Sequence, residues 1–137
     1  MGGVFLKYLL DTHTWIWWNM NPTNLSDKVR QLIADSEKYS ELLLSAISPW
    51  EFCKLLEKKK LGISCSPEKW LKEALDMPKF RLVELTPIIA YRSTSLPQPF
   101  HNDPGDQIIV ATAREENAIL LTKDAKIQQY SHVKTLW

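Results

Sequence analysis

The segment that most constrains the fold is Phe5 to Trp18, FLKYLLDTHTWIWW. Its first half, Phe5-Leu6-Lys7-Tyr8-Leu9-Leu10, is a short apolar run. Such a run reads as a buried central strand of a parallel sheet. The run stops on Asp11, and Thr12 and His13 lead into an aromatic-rich stretch with helical spacing. A carboxylate is therefore delivered at the strand's carboxyl end, the edge where open α/β sheets bind ligands.

The rest of the chain alternates in the same way. A first helix is expected over Thr12–Met20, broken by Asn21-Pro22. Ser26 caps a second, with Val29, Leu32 and Ile33 inward, fading near Asp35–Lys38. Leu42-Leu43-Leu44 is a second strand, and Ser48-Pro49-Trp50-Glu51 opens a helix with Ser48 as its N-cap. That helix stops at Leu61-Gly62. Ser66-Pro67-Glu68 starts another helix, ended by Met77-Pro78. Phe80–Leu85 is a third strand, and Thr86-Pro87 caps a helix to about Leu96. Asp103-Pro104-Gly105-Asp106 opens a long apolar helix, with Asn117 closing it. Ile119–Thr122 is a fourth strand, Ala125–Tyr130 a short helix and Val133–Leu136 a last strand. This order predicts a three-layer α/β/α sandwich around a mainly parallel sheet, one domain over residues 1–137.

Four acids gather at the carboxyl edge of such a sheet. Asp11 and Asp124 follow apolar strands directly, and Glu51 and Asp106 lie in the first turns of helices. Taken singly, each has a plain structural reading as a cap or turn residue, because acids favour helix first turns. Taken together, they form a carboxylate cluster. Two unit charges 4 Å apart at an effective dielectric of 20 repel by about 4 kcal/mol. Such a cluster calls for bound cations or raised pKa values. Oxygen-only ligands suit Mg²⁺ or Mn²⁺, and the chemistry that fits is phosphodiester hydrolysis. The order of residues offers no nucleophile elbow and no phosphate-cradling glycine loop, and there are only four glycines.

Several further classes are disfavoured. No run is long and apolar enough to span a bilayer, and no basic region precedes Phe5, so a cytoplasmic protein is expected. Cys53 and Cys65 lack metal-ligand spacing and read as free thiols. The net charge of +1 provides no global field for a polyanion, so a local patch must hold any nucleic acid.

The segments YLLDTHTWIWW, LSAISPWEFCKLLEKKKL, HNDPGDQIIVATA and ILLTKDAKI, in this order, resemble the PIN-domain toxins of VapBC toxin–antitoxin pairs. The resemblance implies a PIN fold and a metal-dependent endoribonuclease that inhibits translation by cutting RNA. It also implies a cognate antitoxin that blocks the cleft. The family's acidic quartet falls on Asp11, Glu51, Asp106 and Asp124. Asp103 matches a frequent extra acid, read first as a helix N-cap and second as an outer ligand. Thr122 matches a hydroxyl that orients the last acid or a metal-bound water. The family's usual arginine after the third acid is Gln107 here.

Lys54 and Lys58 share the helical face of Glu51 and are candidates for RNA phosphates; the plainer reading is a solvated face with a Glu51–Lys54 pair. Lys123 and Lys126 read as surface residues, and His13 as a packing or capping residue ahead of a proton shuttle. Six tryptophans exceed what a small core readily hides. About half should pack inside; the others suit an antitoxin groove or a homodimer seam. The alternative to a nuclease is a non-catalytic RNA- or protein-binding module.

Overall fold

The computed structural model describes residues 5–36, 40–76 and 80–137. Among the described residues five strands form one sheet: β1 (Leu6–Leu10), β2 (Ser40–Ser45), β3 (Phe80–Val83), β4 (Ile119–Leu121) and β5 (Thr135–Leu136). Their spatial order is β3-β2-β1-β4-β5, and every pairing among the described residues is parallel. Leu9 stands beside Leu43 and Leu120, and Leu10 beside Leu44 and Leu121. The run that looked central in the sequence is the middle strand.

The helices of the described residues that cover the sheet are α1 (Thr12–Met20), α2 (Asp27–Ala34), α3 (Ile47–Glu57), α4 (Pro67–Leu75), α5 (Pro87–Ser93), α6 (Pro104–Glu115) and α7 (Ala125–Gln128). Side chains alternate across a strand, so neighbouring leucines enter different layers. Leu10, Leu42, Leu44 and Leu121 pack with Trp15, Ile33 and Phe52 from α1 to α3. Leu9, Leu43 and Leu120 pack with Ile89, Ile109 and Ile127 from α5 to α7. Each such side chain, fully buried, contributes roughly 1.5–3 kcal/mol. Trp15 meets Phe52 and Trp70 edge-on, while Phe52 and Trp70 stack with centroids 4.0 Å apart. Trp50, by contrast, is 55% exposed.

Most helix starts follow the expected capping grammar. Ser26, Ser66, Thr86 and Asp103 each accept a hydrogen bond from the backbone N–H three residues on. Asn117 takes a left-handed conformation just after α6, a backbone that asparagine tolerates. The start of α3 differs: it begins at Ile47, so Ser48 lies inside it. The reason is the end of β2, where Ser45 still pairs with Val83 and its hydroxyl accepts from the Ile47 N–H. Ser45 thus satisfies the first helical N–H, Ala46 holds the N-cap position without a side-chain bond, and Ser48 is freed for another partner.

β3 stops at Val83, short of Leu85, because its neighbour β2 ends opposite it. α5 stops at Ser93, short of Leu96; the Thr94 and Ser95 hydroxyls bond the Tyr91 carbonyl and compete for the helical ladder. The expected end of α4 at Met77-Pro78 lies outside the described residues, as does part of the expected fading of α2 over Asp35–Lys38. Among the described residues no helix is long and apolar enough to cross a membrane.

Connections from β1 through β3 run over one face and those from β3 through β5 over the other. The direction of winding reverses between β1 and β4, which opens a crevice at their carboxyl ends.

Candidate active site

A cleft of about 800 Å³ opens at that crevice, lined by Asp11, Glu51, Asp103, Asp106 and Asp124 together with Lys54, Lys58, Lys60 and Lys123. The four acids picked from the sequence are thus brought to one place. Asp11 leaves β1 as the N-cap of α1, and Asp124 follows β4 as the N-cap of α7. Glu51 comes from the second turn of α3 and Asp106 from the first turn of α6. Capping and site duty coincide at Asp11 and Asp124.

Asp11 is held at both carboxylate oxygens, and the other three acids at one. Asp11 Oδ1 accepts from the Thr12 N–H at 2.8 Å, and its Oδ2 accepts from Thr122 Oγ1 at 2.7 Å. The same Thr122 oxygen accepts from the Asp124 N–H at 3.0 Å. Thr122 therefore clasps the first acid as well as the backbone of the last. Thr12 Oγ1 donates to Glu51 Oε1 at 2.5 Å and lies 2.8 Å from Ser48 Oγ. With an ionised Glu51 the single Thr12 proton goes to the carboxylate, so Ser48 donates to Thr12. His101 Nε2 lies 2.7 Å from Asp106 Oδ2, and the Gln107 amide donates to the His101 carbonyl at 3.0 Å. Gln107 thus braces the loop that presents His101. Asp124 Oδ1 accepts from the N–H groups of Lys126 and Ile127. Glu51 Oε2, Asp106 Oδ1 and Asp124 Oδ2 have no hydrogen-bond partner among the described residues.

Burial and mutual charge push three carboxyls upward. Glu51 rises from an ordinary 4.5 to about 7, chiefly through burial, against the Thr12 hydrogen bond and with added repulsion from Asp11, Asp106 and Asp103. Asp11 is raised by burial, which outweighs its bonds from Thr122 and Thr12. Asp106 is raised by burial despite its His101 contact, with Asp11, Asp103 and Asp124 adding to the effect. Perturbed carboxyls that feel one another across a cleft are the electrostatic mark of a functional centre. They rim the cleft without converging: among the described residues no three Asp, Glu, His or Cys side chains form a ready-made ligand group.

Gly105 lets α6 approach α3. A Cβ there would stand 2.8 Å from Glu51 Cδ and closer still to its Oε2. The signal in the sequence was a glycine between two acids in a helix's first turn, where no special backbone angle calls for one. Thr12, Ser48 and His101 also belong to the site and carried no pattern of their own. Asp103 caps α6 and lines the cleft. Lys54 pairs with Glu57 at 2.7 Å, in place of the anticipated Glu51. Lys123 is exposed, as expected, and lines the cleft. His13 is exposed and tilts against Trp17 at 5.7 Å.

The PIN domain family model matches residues 8–133. Ribonuclease VapC22 of Mycobacterium tuberculosis is 34% identical over 131 residues, which cover 94% of this chain and 97% of that one. In fold, the chain is similar to VapBC-1 from nontypeable Haemophilus influenzae, with TM-score 0.67, 18% identity and coverage of 96% of this chain and 97% of that one. It is also similar to VapBC2 from Rickettsia felis, solved bound to a fragment of its promoter DNA, with TM-score 0.66, 16% identity and coverage of 96% and 98%. The sheet order, the acidic cleft and these likenesses agree, and the chain belongs to the PIN domain family.

Proposed function

We propose that this chain is a Mg²⁺- or Mn²⁺-dependent endoribonuclease, the toxin half of a toxin–antitoxin pair, which inhibits translation by cutting RNA. The observation that carries this reading is the meeting of Asp11, Glu51, Asp106 and Asp124 in one cleft. The relative named a ribonuclease supports the choice of RNA.

The donor set fits a hard divalent cation. It is made of oxygens only, three of the acids keep an unclaimed oxygen, and their repulsion is of the kind a cation relieves. Magnesium commonly binds through one or two carboxylates and retains water, so a ring of acids that do not converge suits it. When bound, the cation supplies Lewis-acid charge at the phosphate and makes water a competent nucleophile near neutral pH. Asp11, Glu51, Asp106 and Asp124 hold it, directly or through water. Thr122 aims Asp11, Thr12 aims Glu51 and His101 aims Asp106. One of the four acids also serves as general base for the attacking water, and Glu51, whose Oε2 has no hydrogen-bond partner among the described residues, is available for it. Hydrolysis breaks the phosphorus bond to the 3′ oxygen and leaves a 5′-phosphate and a 3′-hydroxyl. Lys54 and Lys58 steer the RNA backbone into the cleft.

The partners are RNA, a cognate antitoxin that closes the cleft and a second copy of the chain, in the cytoplasm. Structural neighbours solved as toxin–antitoxin complexes support the antitoxin. The test is cleavage of bulk cellular RNA with Mn²⁺ beside an identically prepared Asp11→Asn variant. Discrete fragments from the wild type alone, abolished by EDTA, are expected. The variant should lose roughly 100-fold or more, beyond the 10–100-fold typical of residues that merely orient a ligand. Equal cleavage by both proteins, or cleavage indifferent to EDTA, would overturn the assignment.

A further inference from the structure

Two tryptophans line the cleft, Trp50 largely exposed and Trp17 half-buried with its body packed against the core, and each has a lysine beside its ring. Trp50, next to Glu51 on α3, is 55% exposed and has Lys54 Nζ 5.7 Å from its ring centroid. Trp17, on α1, has Lys123 Nζ 5.9 Å from its ring centroid, and Lys123 adjoins Asp124. Trp17 is braced by Trp137 edge-on at 6.1 Å and by His13, while Trp50 makes no ring contact among the described residues. Both rings and both lysines line the same cleft as the acids. The pairs come from different sides of Asp11: α3 follows β2, and Lys123 follows β4, with β1 between those strands.

We propose that Trp50 and Trp17 are stacking platforms for unpaired bases on either side of the scissile phosphate, with Lys54 and Lys123 holding the adjoining backbone phosphates. The proposal rests on the ribonuclease reading and assigns its base contacts to two particular rings. An aromatic face beside an ammonium offers a base its stacking partner and a phosphate its counter-charge. Bases stacked within an A-form duplex cannot reach such a ring.

The test uses the Asp11→Asn protein, which allows binding without turnover, and fluorescence anisotropy with a labelled 12-nucleotide single-stranded RNA of mixed sequence. The same RNA carrying abasic positions, and its duplex, are the companion probes. Trp50→Ala and Trp17→Ala should each weaken single-strand binding roughly 5- to 100-fold, while the phenylalanine variants retain most of it. Abasic RNA should bind the unmodified-tryptophan protein as weakly as intact RNA binds the alanine variants, and duplex should bind weakly to all. Melting curves that match across the variants exclude loss of fold as the cause.

Unchanged affinity in both alanine variants, with RNA still cleaved by the wild type, would overturn the stacking proposal and leave the ribonuclease standing. An equal loss on intact and abasic RNA would overturn it too, since no base would then be involved. Unchanged RNA affinity together with a shift from dimer to monomer in sedimentation would assign the rings to a contact between copies. A chain that neither binds nor cleaves RNA would refute the ribonuclease reading and this proposal with it.

Discussion

Replacing Glu51 by glutamine should stabilise the metal-free protein while abolishing cleavage, and the stabilisation should depend on pH. Glutamine keeps an acceptor for the Thr12 hydroxyl and removes the charge that Asp11, Asp106 and Asp103 oppose. The carboxyl's rise from 4.5 to about 7 corresponds to ~3 kcal/mol of disfavoured ionisation. Glu51 is only partly buried, so screening by water reduces this to roughly 1–2 kcal/mol. Because the folded-state value is raised, the group's contribution to stability is intact below about 4.5 and is lost as pH rises through about 7. Wild type and Glu51→Gln should therefore melt together near pH 4.5. At pH 8 in EDTA the variant should melt roughly 3–10 °C higher. Adding Mn²⁺ at pH 8 should raise the wild type more than the variant, because only the wild type offers the cation that carboxylate. Calorimetric scans at both pH values, with EDTA or Mn²⁺, test all three points. A variant that melts at or below the wild type at pH 8 without metal would refute the reasoning. So would a gap of equal size at both pH values.

Gly105→Ala places a methyl group against the Glu51 carboxylate, so RNA cleavage should fall at least roughly 10-fold while urea midpoints move little, the better helix propensity of alanine offsetting part of the crowding. Full activity in that variant would mean Glu51 does not need its observed position. Thr122→Val removes the donor to Asp11 and the acceptor of the Asp124 N–H, and should cost about 1–3 kcal/mol in urea unfolding with a 10–100-fold loss of cleavage. Thr122→Ser should recover most of both, and failure of that rescue would point to packing by the methyl group in place of the hydroxyl.

What was legible in the sequence was whatever depends on local grammar. The burial of Tyr8, Leu9 and Leu10, the central place of β1, and the capping serines, threonine and aspartate could be read because strand hydropathy and helix starts are short-range properties, although Phe5 and Leu6 at the head of the run are exposed. The quartet could be read because parallel strands deliver their carboxyl ends to one edge. Ser48 lies inside α3 because the helix starts directly after β2, with Ala46 at the N-cap position and Ser45, still paired with Val83, accepting from the Ile47 N–H. The Thr12–Ser48–Glu51 hydroxyl chain joins two helices, and the Thr122 clasp on Asp11 joins two strands. Neither leaves a periodicity. His101 reaches Asp106 across a proline-containing loop whose path no propensity encodes.

The Thr122 clasp spans 111 positions of sequence, because β4 inserts beside β1 late in the chain. During synthesis, Asp11, Glu51 and Asp106 emerge well before Asp124, and until β4 arrives β1 lacks the neighbour whose threonine fixes its terminal acid. A growing chain thus has neither its full set of carboxylates nor an anchored first one until almost all of the core is in place. Sequence order thus makes completion of the carboxylate cluster wait on the pairing of β4 with β1.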